Sequence, residues 1–129
     1  MRLRNLILAV ALTALFALPT FAAKRTITGT VTCDGKGVAG VVVSDGFTVV
    51  KTNAKGIYSF STDLSLPQAQ FVHISIPSGY EVERKGNRPQ FYGVINREAK
   101  GVQKFDFRLK KVDQTTYTML AIADSHVCD

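Results

Sequence analysis

Gly35-Lys36-Gly37-Val38-Ala39-Gly40-Val41-Val42-Val43-Ser44-Asp45-Gly46, continued from Phe47 to Phe60, is the stretch that decides the fold. It reads as strand, turn, strand, turn, strand. Val41 and Val43 share one side of an extended chain, because strand side chains alternate. A second strand is predicted over Phe47-Thr48-Val49-Val50-Lys51-Thr52. Asn53-Ala54-Lys55-Gly56 then turns the chain, and Ile57-Tyr58-Ser59-Phe60 returns it. Gly46 and Gly56 stand where hairpin loops need a positive φ, which a Cβ would penalise. Tyr58 and Phe60 face one side, with Ser59 and Ser61 opposite. The expectation is a curled antiparallel sheet with an apolar inner face.

The flanking segments repeat the pattern. Before it, Thr26, Thr28, Thr30 and Thr32 alternate with Ile27, Gly29 and Val31, so a half-buried first strand is expected there. After it, Val72, Ile74 and Ile76 fall on one side, and Phe71, His73 and Ser75 on the other. His73 thus belongs to the polar face, an exposed strand residue rather than a ligand, since metal sites need several donors. Residues 81–90 are charged and hold Gly86, Asn87 and Pro89, which predicts a long surface loop. Phe91-Tyr92-Gly93-Val94-Ile95 reads as a short strand or a core plug. Phe105, Phe107 and Leu109 point inward, and Lys104, Asp106, Arg108 and Lys110 outward. About seven strands in roughly 85 residues have the spacing of a sandwich. The predicted fold class is all-β: an antiparallel Ig-like or prealbumin-like β-sandwich over residues 23–110.

Composition agrees with a folded body. Apolar residues make up 46% and charged residues 20% of the 129-residue chain, which excludes disorder by low hydrophobicity. The chain has no Trp, so it lacks an indole platform for a sugar or a base. Residues 1–22 are expected to be a cleaved signal peptide. Arg2 and Arg4 form the basic start, Leu6 to Leu18 the apolar run, and Thr20 and Ala22 the small residues before the cut. That run is short of the roughly 20 residues a spanning helix needs. The expected location is therefore periplasmic or secreted, with no membrane attachment after cleavage. Losing Arg2 and Arg4 lowers the formal charge of +6 by two. The remaining cations lie on strand faces and in loops without interleaved aromatics, so no nucleic-acid partner is expected. The chain is expected to be a monomer. Cys33 shares the parity of Ile27 and Val31, which predicts a buried thiol, and Cys128 lies far away in sequence.

The pattern changes near the end. Residues 111–116 are polar and read as a linker. Tyr117-Thr118-Met119-Leu120-Ala121-Ile122-Ala123 no longer alternates, as expected of a strand covered on both faces in a parallel sheet. Asp124-Ser125-His126 follows at its carboxyl end, the usual ligand position in an open α/β sheet. Two residues apart on an extended backbone, Asp124 and His126 could reach one metal ion. A strand end with a polar turn has the same spacing. Two ligands do not hold a catalytic divalent ion, since a zinc site takes at least three from the protein. Residues 117–129 are therefore expected to be the first strand and metal motif of a domain continued on a longer polypeptide.

Three segments, Gly40 to Gly46, Lys51 to Phe60 and Phe71 to Tyr80, together with Phe105-Asp106-Phe107-Arg108-Leu109, resemble the N-terminal domain of secreted bacterial calcineurin-like metallophosphoesterases. The Thr-x-Ala-x-Gly-x-Tyr-x-Phe portion is shared more widely with carboxypeptidase-regulatory-like and transthyretin-like sandwiches. Ala123-Asp124-Ser125-His126 looks like the first metal motif of the phosphoesterase domain. The resemblance implies that Asp124 and His126 bind one metal of a two-metal centre of Mn, Fe or Zn type. It also implies that the other ligands, and the general-acid His, lie on the rest of that polypeptide. The fragment is then an inactive accessory domain whose partner is the catalytic domain of its own chain. The alternative is a free-standing secreted module that binds a glycan or a protein through residues 81–90.

Overall fold

The computed structural model describes residues 24–116 and 118. Twelve strands occupy these residues: β1 Lys24–Cys33, β2 Lys36–Gly37, β3 Val42–Ser44, β4 Val49–Lys51, β5 Ile57–Asp63, β6 Phe71–Ile74, β7 Tyr80–Val82, β8 Arg84–Lys85, β9 Arg88–Pro89, β10 Tyr92–Val94, β11 Gln103–Lys104 and β12 Phe107–Lys111. The all-β expectation holds, and the described residues contain no helix. The first sheet is built around β1. On one side β1 pairs antiparallel with β5, from Lys24 opposite Asp63 to Thr30 opposite Ile57. On the other it pairs with β11 and then β12, and β7 follows beyond β12. The second sheet has the order β10-β6-β3-β4 and is antiparallel throughout.

The inner faces meet in one core. Ile27, Val31, Tyr58, Phe60, Phe107 and Leu109 come from the first sheet, and Val41, Val43, Val72, Ile74 and Ile95 from the second sheet and its flanks. The alternation read from Thr26–Thr32 and Phe105–Leu109 is the alternation observed: Ile27, Val31, Phe107 and Leu109 are buried. Gly46 and Gly56 hold φ values of +94° and +74°, as the hairpin reading requires.

Several details depart from expectation. The ladders of β1 with β11 and β12 run parallel. Alternation sets which face a side chain takes, not the direction of the neighbouring strand. Here the chain leaves β1, passes through both sheets, and comes back to β1 travelling the same way. Residues 81–90 are not one loop: Tyr80–Val82 joins the first sheet, and β8 pairs with β9 as a separate hairpin. Ile76, expected inside, is exposed. Strand β6 ends at Ile74, and Pro77 then directs the chain into a turn, so the period-two pattern stops applying. Strand β4 is confined to Val49–Lys51, and Phe47 lies exposed in the turn before it.

One junction joins both sheets. Ile27 lies opposite Gln103 and Val31 opposite Phe107, so the register of β1 is the same on both sides of Phe105 and Asp106. Between them the ladder is rewired. The Phe105 amide donates to the Thr28 carbonyl at 2.9 Å. The Phe105 carbonyl, however, accepts from the Tyr58 hydroxyl at 2.7 Å. The Thr30 amide and hydroxyl donate to Asp106 Oδ1 at 2.9 and 2.8 Å, so a carboxylate replaces the backbone acceptor. Lys104 Nζ sits 3.0 Å from the other carboxylate oxygen. Tyr58 reaches across Gly29, its partner in the ladder. A Cβ on Gly29 would run into the Phe105 carbonyl, and a Cβ on Gly93 in β10 would occupy the space of the Phe105 ring.

Two outcomes follow. Gly29→Ala is expected to cost about 3 kcal/mol, the upper range for forced overpacking, read as a lowered urea midpoint. Burial, and then the negative charge of Asp106, push the Tyr58 phenol far above its ordinary value. Its contribution to stability is therefore full below the unfolded-state value of about 10 and declines as pH rises beyond it. Unfolding at pH 9 and pH 11 should show a steeper loss for the native chain than for Tyr58→Phe.

Candidate functional site

The two residues singled out as metal ligands, Asp124 and His126, lie outside the described residues, as does Cys128. Among the described residues, no group of three or more His, Cys, Asp or Glu is placed to share a metal ion. What these residues offer is surface, and its two broad faces differ in chemistry.

The outer face of the first sheet is charged. Glu81 faces Lys110 across the β7–β12 ladder, with a 3.5 Å contact between their charged groups, and Glu83 stands 4.0 Å from Arg108. Thr28 and Ser59 are paired on the same sheet. These are solvated contacts of little energetic worth. The outer face of the second sheet is aromatic and aliphatic. Register places Tyr92 opposite His73 and Val94 opposite Phe71, so these four share one side. Phe71 is 43%, Tyr92 46% and Val94 64% exposed. The Tyr92 ring stands edge-on to Phe71 at 5.7 Å and to Phe91 at 5.3 Å, the geometry favoured by ring quadrupoles. Phe71, His73, Phe91 and Tyr92 line a shallow groove of about 330 Å³. His73 sits half-buried between Ser44 and Tyr92 in the ladder order.

Phe71 is on the side that its parity with His73 predicts, but that side, expected to be polar, is aromatic, and His73, expected to be exposed, is half-buried against it. Phe91 and Tyr92, left between strand and plug by the sequence, complete the cluster. A period-two reading carried through Tyr92 and Val94 would have found that pair, but not Phe91, which is out of phase with them. Beside Tyr92 runs a second groove, lined by Lys85, Arg88, Pro89, Gln90 and Val94. Its cations come from the β8–β9 hairpin, where Arg84, Lys85 and Arg88 are all exposed.

Several polar side chains away from these faces tie the fold together. Asp45 closes the β3–β4 turn, its Oδ1 accepting from the amides of Phe47 and Thr48 at 3.0 and 2.6 Å. Burial pushes its carboxyl up, but the neighbouring Thr62 hydroxyl and these amides outweigh that and leave it below the ordinary carboxylate value. Arg97 donates to the carbonyls of Leu64, Leu66 and Ala69 and so gathers the β5–β6 connection. Cys33 is buried as a free thiol, as its parity implied.

The segment expected to be a linker starts inside the body. Lys111 belongs to β12, opposite Tyr80. The Val112 amide donates to the Gly79 carbonyl at 3.0 Å. Gln114 Oε1 accepts from the Gly79 amide at 2.8 Å and from the Ser78 hydroxyl at 3.2 Å. The chain thus leaves the sandwich at a fixed point beside the β6–β7 turn.

Compared with known families, residues 25–112 match the profile described as N terminal of Calcineurin-like phosphoesterase. The chain belongs to that family. No curated protein matches it. The matched residues of this phosphoesterase N-terminal domain begin one residue into β1 and end at Val112, where the backbone bonds to Gly79. Asp124 and His126 lie beyond the match.

Removing the Gln114 acceptor should loosen only the exit. In Gln114→Ala the Gly79 amide is expected to exchange about fivefold faster, matching a hydrogen bond of about 1 kcal/mol. The global unfolding midpoint should hardly move, since exposed substitutions stay within about 0.5 kcal/mol.

Proposed function

We propose that this chain is the front part of an exported, metal-dependent phosphoesterase, in which residues 24–112 form a non-catalytic accessory domain. The observation that carries this reading is the family match over residues 25–112. The apolar, non-alternating run 117–123 ending in Asp124-Ser125-His126 supports it, because such a strand belongs in a parallel sheet of another domain. The basic, apolar start and the small residues Thr20 and Ala22 support export, with the mature protein periplasmic or secreted.

A carboxylate oxygen and an imidazole nitrogen suit Mn, Fe or Zn, so the donor chemistry of Asp124 and His126 fits such a centre. Two donors are fewer than one ion needs, so the fragment by itself is inactive. When bound, a two-metal centre polarises a phosphate ester and supplies a nucleophile from water. The part of this chain in that chemistry is to hold one ion through Asp124 and His126. The sandwich works as a monomeric body joined to the catalytic domain, not as a nucleic-acid or membrane binder.

The test is a phosphodiesterase assay with manganese on this chain and on the complete polypeptide. No turnover is expected from this chain. The complete polypeptide should turn over and should lose activity by about a hundredfold or more in Asp124→Ala. Turnover by this chain alone, or an inert complete polypeptide, would refute the reading.

A further inference from the structure

We infer that the outer face of β6 and β10 is the surface against which the phosphoesterase domain of the same polypeptide packs. This rests on the function proposed above and adds to it a location. The face is the aromatic one. Phe71, Tyr92 and Val94 stand exposed with Phe91 at their border, whereas the opposite sheet shows solvent a row of ion pairs. A contiguous apolar patch on one face only marks an interaction surface.

The exit of the chain names the occupant. Gln114 is held at Ser78 and Gly79, so only Thr115 and Thr116 separate this clamp from the apolar run starting at Tyr117. The three steps from Gln114 to Tyr117 reach about 11 Å at full extension. A domain beginning at Tyr117 is thereby held against this end of the sandwich, at an effective concentration in the millimolar range. The aromatic face starts close by. Ile74, whose amide donates to the Phe91 carbonyl at 2.9 Å, is five residues before Gly79, at most about 17 Å of chain. Exposed Ile76 lies between them.

The alternatives fit less well. A second copy is not tethered by the exit of the chain, so it lacks the effective concentration that favours the linked domain. Among the described residues none of Arg84, Lys85 and Arg88 forms an ion pair, which suits an acidic partner surface at the rim. A glycan needs several polar contacts, and the groove presents only the His73 imidazole and the Tyr92 hydroxyl.

Hydrogen exchange tests the inference. Strand β10 is a sheet edge; the Phe91 carbonyl accepts from Ile74 and the Ile95 amide donates to Gln70 just before β6, so the amides of Tyr92 and Val94 point away from β6. In the complete polypeptide these two amides should exchange at least about tenfold slower than in the present chain, a difference of about 1.4 kcal/mol. The double variant Phe71→Ser/Tyr92→Ser should restore fast exchange. So should Arg84→Glu/Lys85→Glu/Arg88→Glu, which leaves the aromatic cluster and the core intact. Unchanged exchange at Tyr92 and Val94 in a complete polypeptide that hydrolyses phosphodiesters would overturn the inference while leaving the proposed function standing. Slowed exchange that depends on protein concentration or on added glycan would overturn it too. A complete polypeptide without metal-dependent activity would remove both.

Discussion

The sandwich depends on the way Phe105 is held. Its carbonyl lies over Gly29 and accepts from Tyr58, its amide donates to Thr28, and its ring fills the space left by Gly93 in the facing sheet. Three strands and both layers therefore converge on one residue. The arrangement works only because two glycines leave room and because a carboxylate, Asp106, takes over the acceptor role that the Phe105 carbonyl has left. Thr30 is half-buried, and an amide left without an acceptor inside a ladder weakens the pairing around it. The substitution of Asp106 for a carbonyl keeps the Thr30 amide satisfied while the Phe105 carbonyl serves Tyr58.

Much of this architecture was legible in the residues. Alternation in Thr26–Thr32, Ile57–Phe60 and Phe105–Leu109 assigns inner and outer faces, because burying one face of a sheet imposes a period of two. The direction of the returning strand was not legible: a period of two reads the same in parallel and antiparallel neighbours. The hairpin Arg84–Pro89 was hidden for a different reason. Both its faces are solvated, so it has no apolar partner set to betray a strand. Asp106 looks like any outward carboxylate in the sequence, and its bond to the Thr30 amide depends on the Phe105 carbonyl being taken by Tyr58, which composition does not encode.

The functional picture has two parts of unequal legibility. The candidate ligands Asp124 and His126 come from a local motif, readable without knowledge of the sandwich. The aromatic face of β6 and β10 required the register, since Phe71, Tyr92 and Val94 are distant in sequence and meet only through pairing. The clamp of Gln114 on Gly79 links the two parts, because it fixes where the chain leaves the body relative to that face.

The parallel pairing of β1 with β12 has a mechanical side. Lys24 opens β1 at one pole of the body, and Lys111 closes β12 at the other, about 30 to 35 Å away along the strand direction. The domain is thus threaded in line, entering at one tip and leaving at the opposite one. Tension between its ends would slide β1 against β12 lengthwise, loading several hydrogen bonds together instead of unzipping them singly.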